Sequence, residues 1–121
     1  MEYIVVTGAY GGMGRETVKK FVSLGYTVFA LDRKVENSEE GIIPIEVDVT
    51  SEESVLNAYK KVSEITNKVS AIIHFAGIYV LDSLVEMSEE KFVKSFNVNV
   101  FGAFRINKAF LPLIKGGRII I

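Results

Sequence analysis

Residues 7–14 read Thr-Gly-Ala-Tyr-Gly-Gly-Met-Gly, with glycines at 8, 11, 12 and 14. The stretch follows a short apolar, β-branched run, Tyr3 to Val6. It precedes a segment of helical spacing, Arg15 to Leu24, in which Val18, Phe21, Val22 and Leu24 share one side. A tight turn needs one or two glycines. Four in seven positions at a strand-to-helix junction point to another need. Glycine tolerates positive φ and close backbone approach, so several N–H groups can face a phosphate. The helix beyond Gly14 adds unpaired donors and the positive end of its dipole.

Working outward, the chain alternates apolar runs with helical patterns. Gly25 is a C-cap signal for the first helix. A second strand follows at Thr27 to Leu31, ending in Asp32, and a third lies around Ile43 to Val49. The polar stretch between them, residues 33–41, is too short for a full crossover helix, so only a turn or so is expected there. Thr50 or Ser51 can cap a helix running to about Ile65, with Glu53 placed for a capping box behind Thr50. Ser70 to Phe75 is a fourth strand, Ser88 caps a long helix to about Lys115, and Gly116 to Ile121 is a fifth strand. Strands alternating with helices imply βαβ units on a parallel sheet, covered on both faces. Right-handed crossovers then predict a Rossmann-like, doubly wound α/β fold with strand order 3-2-1-4-5.

Composition narrows the function. The 121 residues carry 14 basic and 15 acidic side chains, for a net charge of −1, without the one-sided basic footprint of a nucleic-acid binder. There is no cysteine and a single histidine, His74, so thiolate chemistry and Cys- or His-rich metal sites are excluded. No metal is expected. The opening residues form a strand with no basic leader, and no apolar run approaches a membrane span, so a cytoplasmic protein is expected. Asp32 stands 24 residues after Gly8, at the end of the second strand. A carboxylate there can accept hydrogen bonds from both ribose hydroxyls of an adenosine and would repel a 2′-phosphate, which favours NAD over NADP. Arg33 beside it could instead pair with that phosphate.

These residues carry a family resemblance. Thr7-Gly8-x-x-x-Gly12-x-Gly14 resembles the TGxxxGxG fingerprint of the short-chain dehydrogenases/reductases. Asp48-Val49 stands where that family places an Asp and an apolar residue against the adenine. His74-Phe75-Ala76-Gly77 occupies the NNAG position, with both Asn replaced. Asn99-Val100-Phe101-Gly102 is similar to the element whose Asn holds a catalytic water chain, and Leu111-Pro112 with Gly117-Arg118-Ile119 matches the approach to the fifth strand. The resemblance spans the whole chain. It implies that Gly8, Tyr10, Gly11, Gly12, Met13, Gly14, Asp32, Arg33, Asp48, Val49, Ala76 and Gly77 bind NAD, or NADP less readily, and that Asn99 belongs to the catalytic machinery. Tyr10 replaces a small polar residue, so its ring is expected over the ribose or phosphate. His74 is expected to be a satisfied strand-end histidine, and Asn97 and Asn107 to be merely polar positions.

The same resemblance implies an alcohol or ketone substrate and a proton donor, a Tyr whose partner Lys lies four residues on, with a Ser just after the fifth strand. The five tyrosines at 3, 10, 26, 59 and 79 are followed, four residues later, by Thr, Gly, Ala, Ser and Ser. Residues 1–121 are therefore expected to be one dinucleotide-binding domain, incomplete at its C-terminus, lacking strands six and seven and inactive alone. Two apolar sides on the long helix imply a homo-oligomer. A non-catalytic dinucleotide-sensing or assembly module on the same fold is the alternative. A receiver domain would need acidic residues where Thr7-Gly8 stands, and a methyltransferase loop has tighter glycine spacing.

Overall fold

A computed structural model describes residues 2–78 and 81–121. Among them, five strands form one parallel sheet in the order β3-β2-β1-β4-β5, as the crossovers require. The strands are β1 (Tyr3–Thr7), β2 (Thr27–Asp32), β3 (Ile42–Glu46), β4 (Val69–His74) and β5 (Ile114–Ile120). The helices are α1 (Gly12–Ser23), α2 (Glu52–Ser63), α3 (Glu89–Phe96) and α4 (Gly102–Phe110).

The two faces of the sheet follow from the two-residue period of a strand. Val5, Phe29, Leu31 and Ile72 point to one side, where Val55 and Val62 of α2 and Ile106 and Phe110 of α4 complete a core. Ile4, Val6, Val28, Ala30 and Ile73 point to the other and meet Val18 of α1. Val5, Val6, Val28, Phe29, Ala30, Leu31 and Ile72 are wholly buried. Burying each larger side chain contributes about 1.5–3 kcal/mol against the entropy of ordering the chain. Residues 33–41 contain no helix, as their length requires, only an isolated bridge between Glu39 and Ile42.

Four expectations need correction. α1 starts at Gly12, inside the glycine loop, because Gly11 is the N-cap. α2 is capped by Ser51, one of the two expected caps, whose hydroxyl accepts from Ser54 N at 3.1 Å, and not by Thr50 with its box. Glu53 therefore forms no box, and the Ser54 hydroxyl instead accepts from Asp48 N at 2.8 Å. The helix expected to reach Lys115 stops at Phe110 and passes through a 3₁₀ turn, Leu111–Leu113, into β5. Pro112 lacks the N–H that would continue it. Finally, the helical stretch is divided by a π turn, Asn97–Phe101. A π turn carries about one residue more than an α turn and rotates the following face by roughly 100°. Ile106 and Phe110 are consequently buried, whereas Phe92 and Phe96, on the turns before the π turn, stay 53% and 45% exposed.

The Gly116-Gly117 pair has a local cause. The β4–β5 register shifts between Val69 and Ala71. Gly116 adopts φ +76°, and a Cβ on Gly117 would lie 2.5 Å from the Ser70 carbonyl oxygen. The bulge therefore admits only glycine where the two backbones cross.

Candidate functional site

The chain runs from β1 outward to β2 on one side and returns through α2 to β4 on the other. This leaves a crevice at the carboxyl ends of β1 and β4, the topological switch point where doubly wound sheets bind ligands. A cleft of about 420 Å³ lies there. Its wall includes Gly8, Gly11, Asp32, Arg33, Asp48, Val49, Ala76 and Gly77, eight of the residues the motifs singled out.

The glycine loop builds one wall. Gly8 has φ +64°, and a Cβ on it would lie 2.5 Å from the Phe75 carbonyl carbon and 2.6 Å from Ala76 N. Gly14 is buried, and a Cβ there would run into the Gly8 carbonyl oxygen. Both glycines are demanded by the protein's own packing. Gly11 and Gly12 are not. A Cβ on Gly12 would meet nothing within 4 Å, and one on Gly11 would make only ordinary contact, 3.5 Å from Gly8 O. The first helical bond of α1 runs from Arg15 N to Gly11 O, 2.8 Å, so the amides of Gly12, Met13 and Gly14 precede any helical acceptor. No side chain caps them. A glycine pair open to solvent beside uncapped amides fits a phosphate-bearing ligand, which needs the close approach that the fold does not.

Asp32 ends β2 beside this loop. Its Oδ2 accepts from Tyr10 N at 3.0 Å and its Oδ1 from Arg33 N at 2.8 Å. The carboxylate is thereby oriented by two amides, with lone pairs left for further donors. Asp48 lies beyond β3. Its Oδ1 accepts from Thr50 N at 2.9 Å and from the Thr50 hydroxyl at 2.6 Å. These bonds, aided by Arg33 and Arg105, hold its carboxyl below the usual Asp range.

At the end of β4, His74 faces Thr7 Oγ1 through Nδ1 (3.5 Å) and Asn107 Oδ1 through Nε2 (2.8 Å). Burial pushes its pKa down, with Asn107 opposing. In the neutral ring Nε2–H donates to Asn107 and Nδ1 accepts from the Thr7 hydroxyl, while Thr7 Oγ1 accepts from Ala76 N at 3.2 Å. His74 is thus satisfied, as expected. Asn107 is more than a polar position, because it ties α4 to β4.

Asn99 lies in the π turn. Its Oδ1 accepts from Ile78 N at 2.7 Å and its Nδ2 donates to Ile78 O at 2.6 Å and to Ser95 Oγ at 3.3 Å. It clamps the main chain just after Gly77, close enough that a Cβ on Gly77 would come within 3.0 Å of Asn99 Oδ1. Gly12, Met13, Gly14 and Asn99 do not line the cleft, and Tyr10 lines an adjoining lobe. The Tyr10 ring packs against the α1-side core under Arg15, 5.5 Å from the guanidinium carbon. Its hydroxyl is buried beside the Glu36 main chain without reaching hydrogen-bond geometry, and burial raises its pKa.

Thr50, expected only as a possible helix cap, Asn97, expected as a merely polar position, and Ile78, Lys94 and Val98 also line the cleft. Lys94, Asn97 and Val98 stand at i, i+3 and i+4, one helical face, yet that spacing alone does not distinguish a cleft from solvent. Asn97 therefore joins Asn107 as a position with more than a generic polar role. Its Oδ1 is buried with no hydrogen-bond partner among the described residues. No group of three or more potential metal ligands occurs among the described residues, and no helix among them is long and apolar enough to cross a membrane.

Known proteins share this fold. The chain is 36% identical over 126 aligned positions to mouse estradiol 17-beta-dehydrogenase 2, covering 93% of this chain and 32% of the relative. It is 32% identical over 103 residues to the 3-oxoacyl-[acyl-carrier-protein] reductase MabA of Mycobacterium tuberculosis, covering 85% and 41%. A Brucella melitensis short-chain dehydrogenase/reductase, described as a glucose/ribitol dehydrogenase, superposes with a TM-score of 0.90 at 26% identity, covering 98% of this chain and 52% of that one. The chain thus spans a third to a half of the length of these relatives. The family model described as short chain dehydrogenase matches residues 2–121, and the chain belongs to that family.

Proposed function

We propose that residues 1–121 form the dinucleotide-binding part of an NAD(P)-dependent oxidoreductase that interconverts an alcohol and a ketone, with NAD the preferred cofactor. The observation that carries this reading is the adjacency, in one cleft, of Gly11 from the open glycine loop and the amide-oriented Asp32 carboxylate. The loop and the uncapped amides of α1 would hold the pyrophosphate, and Asp32 would accept from the adenosine ribose. Asp48 and Val49 would border the adenine. Ala76 and Gly77 would lie along the far half of the dinucleotide, with Asn99 keeping that segment in place by its clamp on Ile78.

When bound, the nicotinamide supplies the hydride acceptor or donor. This chain's residues bind and orient it. The partner proton needs an acid–base group, and no Tyr in the sequence has a Lys four residues later. We therefore assign the isolated 121 residues cofactor binding without turnover. Small alcohol or ketone substrates, and a second copy of the chain across the exposed faces of α3 and α4, are the partners proposed for the whole protein.

A folded sample that fails to bind NADH by fluorescence or calorimetry would remove the cofactor assignment, and turnover of any alcohol by residues 1–121 would remove the assignment of inactivity. The absent Tyr–Lys pair equally suits a dinucleotide-sensing module. An encoding frame that continues into a Ser and a Tyr-x-x-x-Lys pair selects the enzyme, and one that does not selects the module.

A further inference from the structure

The cleft has a second lobe. A cavity of about 630 Å³ adjoins the first, and Gly11, Asp32 and Arg33 line both. A ribose held by Asp32 therefore has this lobe as its neighbour. Three cations border the lobe: Arg15, Arg33 and Lys34. Cations beside a ribose carboxylate are what a 2′-phosphate would seek, so the lobe works against the selectivity that Asp32 provides.

The three cations differ in availability. Arg33 and Lys34 make no ion pair among the described residues. Arg15 is engaged at both terminal nitrogens. Nη1 donates to Glu36 Oε1 at 3.0 Å, and Nη2 donates to Glu36 Oε2 at 2.5 Å and to Tyr10 O at 3.3 Å. Glu36 comes from the short β2–β3 connection, 21 residues along the chain, and lines the same lobe. A bidentate carboxylate satisfies a guanidinium in the geometry that a phosphate would otherwise adopt, so the two anions compete for one fork.

We propose that Glu36 is a specificity-determining residue. By holding Arg15 in a bidentate pair, it withholds from the second lobe the cation best shaped for a ribose 2′-phosphate, and so favours the unphosphorylated dinucleotide. The inference rests on the dinucleotide reading above. It differs from the Asp32 argument, because Asp32 acts by its own charge and Glu36 acts through Arg15.

The test uses the longest polypeptide that carries this sequence and two probes, 5′-AMP and adenosine 2′,5′-bisphosphate, titrated by calorimetry. Glu36→Gln is expected to leave 5′-AMP affinity within about twofold and to improve the bisphosphate-to-AMP affinity ratio by about two- to fivefold, the scale of an exposed ion pair released. Glu39→Gln removes the same charge from the same connection and is expected to change the ratio less. Adding Arg15→Met to Glu36→Gln is expected to abolish the gain.

Equal gains from Glu36→Gln and Glu39→Gln, or a gain that survives Arg15→Met, would reduce Glu36 to background charge and overturn the inference. So would an unchanged ratio, or loss of 5′-AMP binding in both Glu36→Gln and Glu36→Ala, which would make Glu36 a support of the loop. Failure of the unsubstituted protein to bind 5′-AMP overturns the dinucleotide reading itself, and this inference with it.

Discussion

The glycine-loop side of the sheet and the α3–β5 side are built to different standards. Around β1, α1 and β2, almost every unusual residue has an internal reason. Gly8 and Gly14 are required by close backbone approach, Asp32 is oriented by two amides, and Arg15 is tied to Glu36. On the other side, Phe101, Phe104 and Leu111 are each more than half exposed, and Ile120 on the edge strand is 51% exposed. The first region is nearly closed under its own interactions, so its leftover features, Gly11 and Gly12, point to a ligand. The second leaves apolar surface uncovered, and such surface calls for cover by more of the same polypeptide or by a partner.

The sharpest way to break this comparison is to add methyl groups within the loop. Gly14→Ala and Gly8→Ala force a Cβ onto backbone atoms that cannot yield, at positive φ in the case of Gly8, and are expected to destabilise the chain by about 3 kcal/mol or more, or to prevent folding. Thermal unfolding reads this directly. Gly12→Ala lies in an open helical turn and is expected to keep or raise stability by up to about 1 kcal/mol. NADH affinity should nonetheless fall at least tenfold, about 1.4 kcal/mol. A smaller loss of affinity, at least about fivefold, is expected for Asp32→Asn, because the amide keeps an acceptor but loses the charge. Equal NADH affinity in the parent and in Asp32→Asn, measured by fluorescence titration, would remove Asp32 from the site.

On the open side, Phe104→Glu is expected to change unfolding free energy by less than about 0.5 kcal/mol, because the ring is 58% exposed. Light scattering should show it less associated than the parent. A parent that is monomeric at all concentrations would mean that this face meets something other than a second copy.

The smallest effect concerns pH. Burial lowers the pKa of His74 in the fold below its ordinary value of 6.5. The folded state therefore binds fewer protons than the unfolded chain between those two values. The resulting stability is fully present above about 6.5 and is lost as pH falls toward the folded pKa. Chemical denaturation from pH 7.5 downward should show this decline, and His74→Asn should flatten it. An unchanged slope would show that other groups cause it.

Much of this was legible because it is local. The alternation of apolar runs with helical spacing predicts the sheet and its order, and the glycine spacing predicts the tight strand-to-helix turn. Boundaries were less legible. The apolar spacing of residues 88–115 continues through the π turn and past Phe110, and only Pro112 hints that the helix must stop. Long-range pairs left no local trace at all. His74 meets Asn107 across 33 residues and Arg15 meets Glu36 across 21, and nothing in the spacing of either pair announces the contact. The place of Lys94 and Asn97 in the cleft likewise depends on which way the helix is turned, which their spacing does not reveal.

The central claim is that Gly11 and Gly12 are glycine for a ligand's sake and not for the fold's. It is tested most directly by calorimetric titration of NADH into the parent and into Gly12→Ala, with the melting temperature of each sample recorded alongside. The account predicts one binding site in the parent and at least tenfold weaker binding in Gly12→Ala, with its melting temperature unchanged or higher. Equal NADH affinity in both folded samples, or no binding by the folded parent, would contradict it.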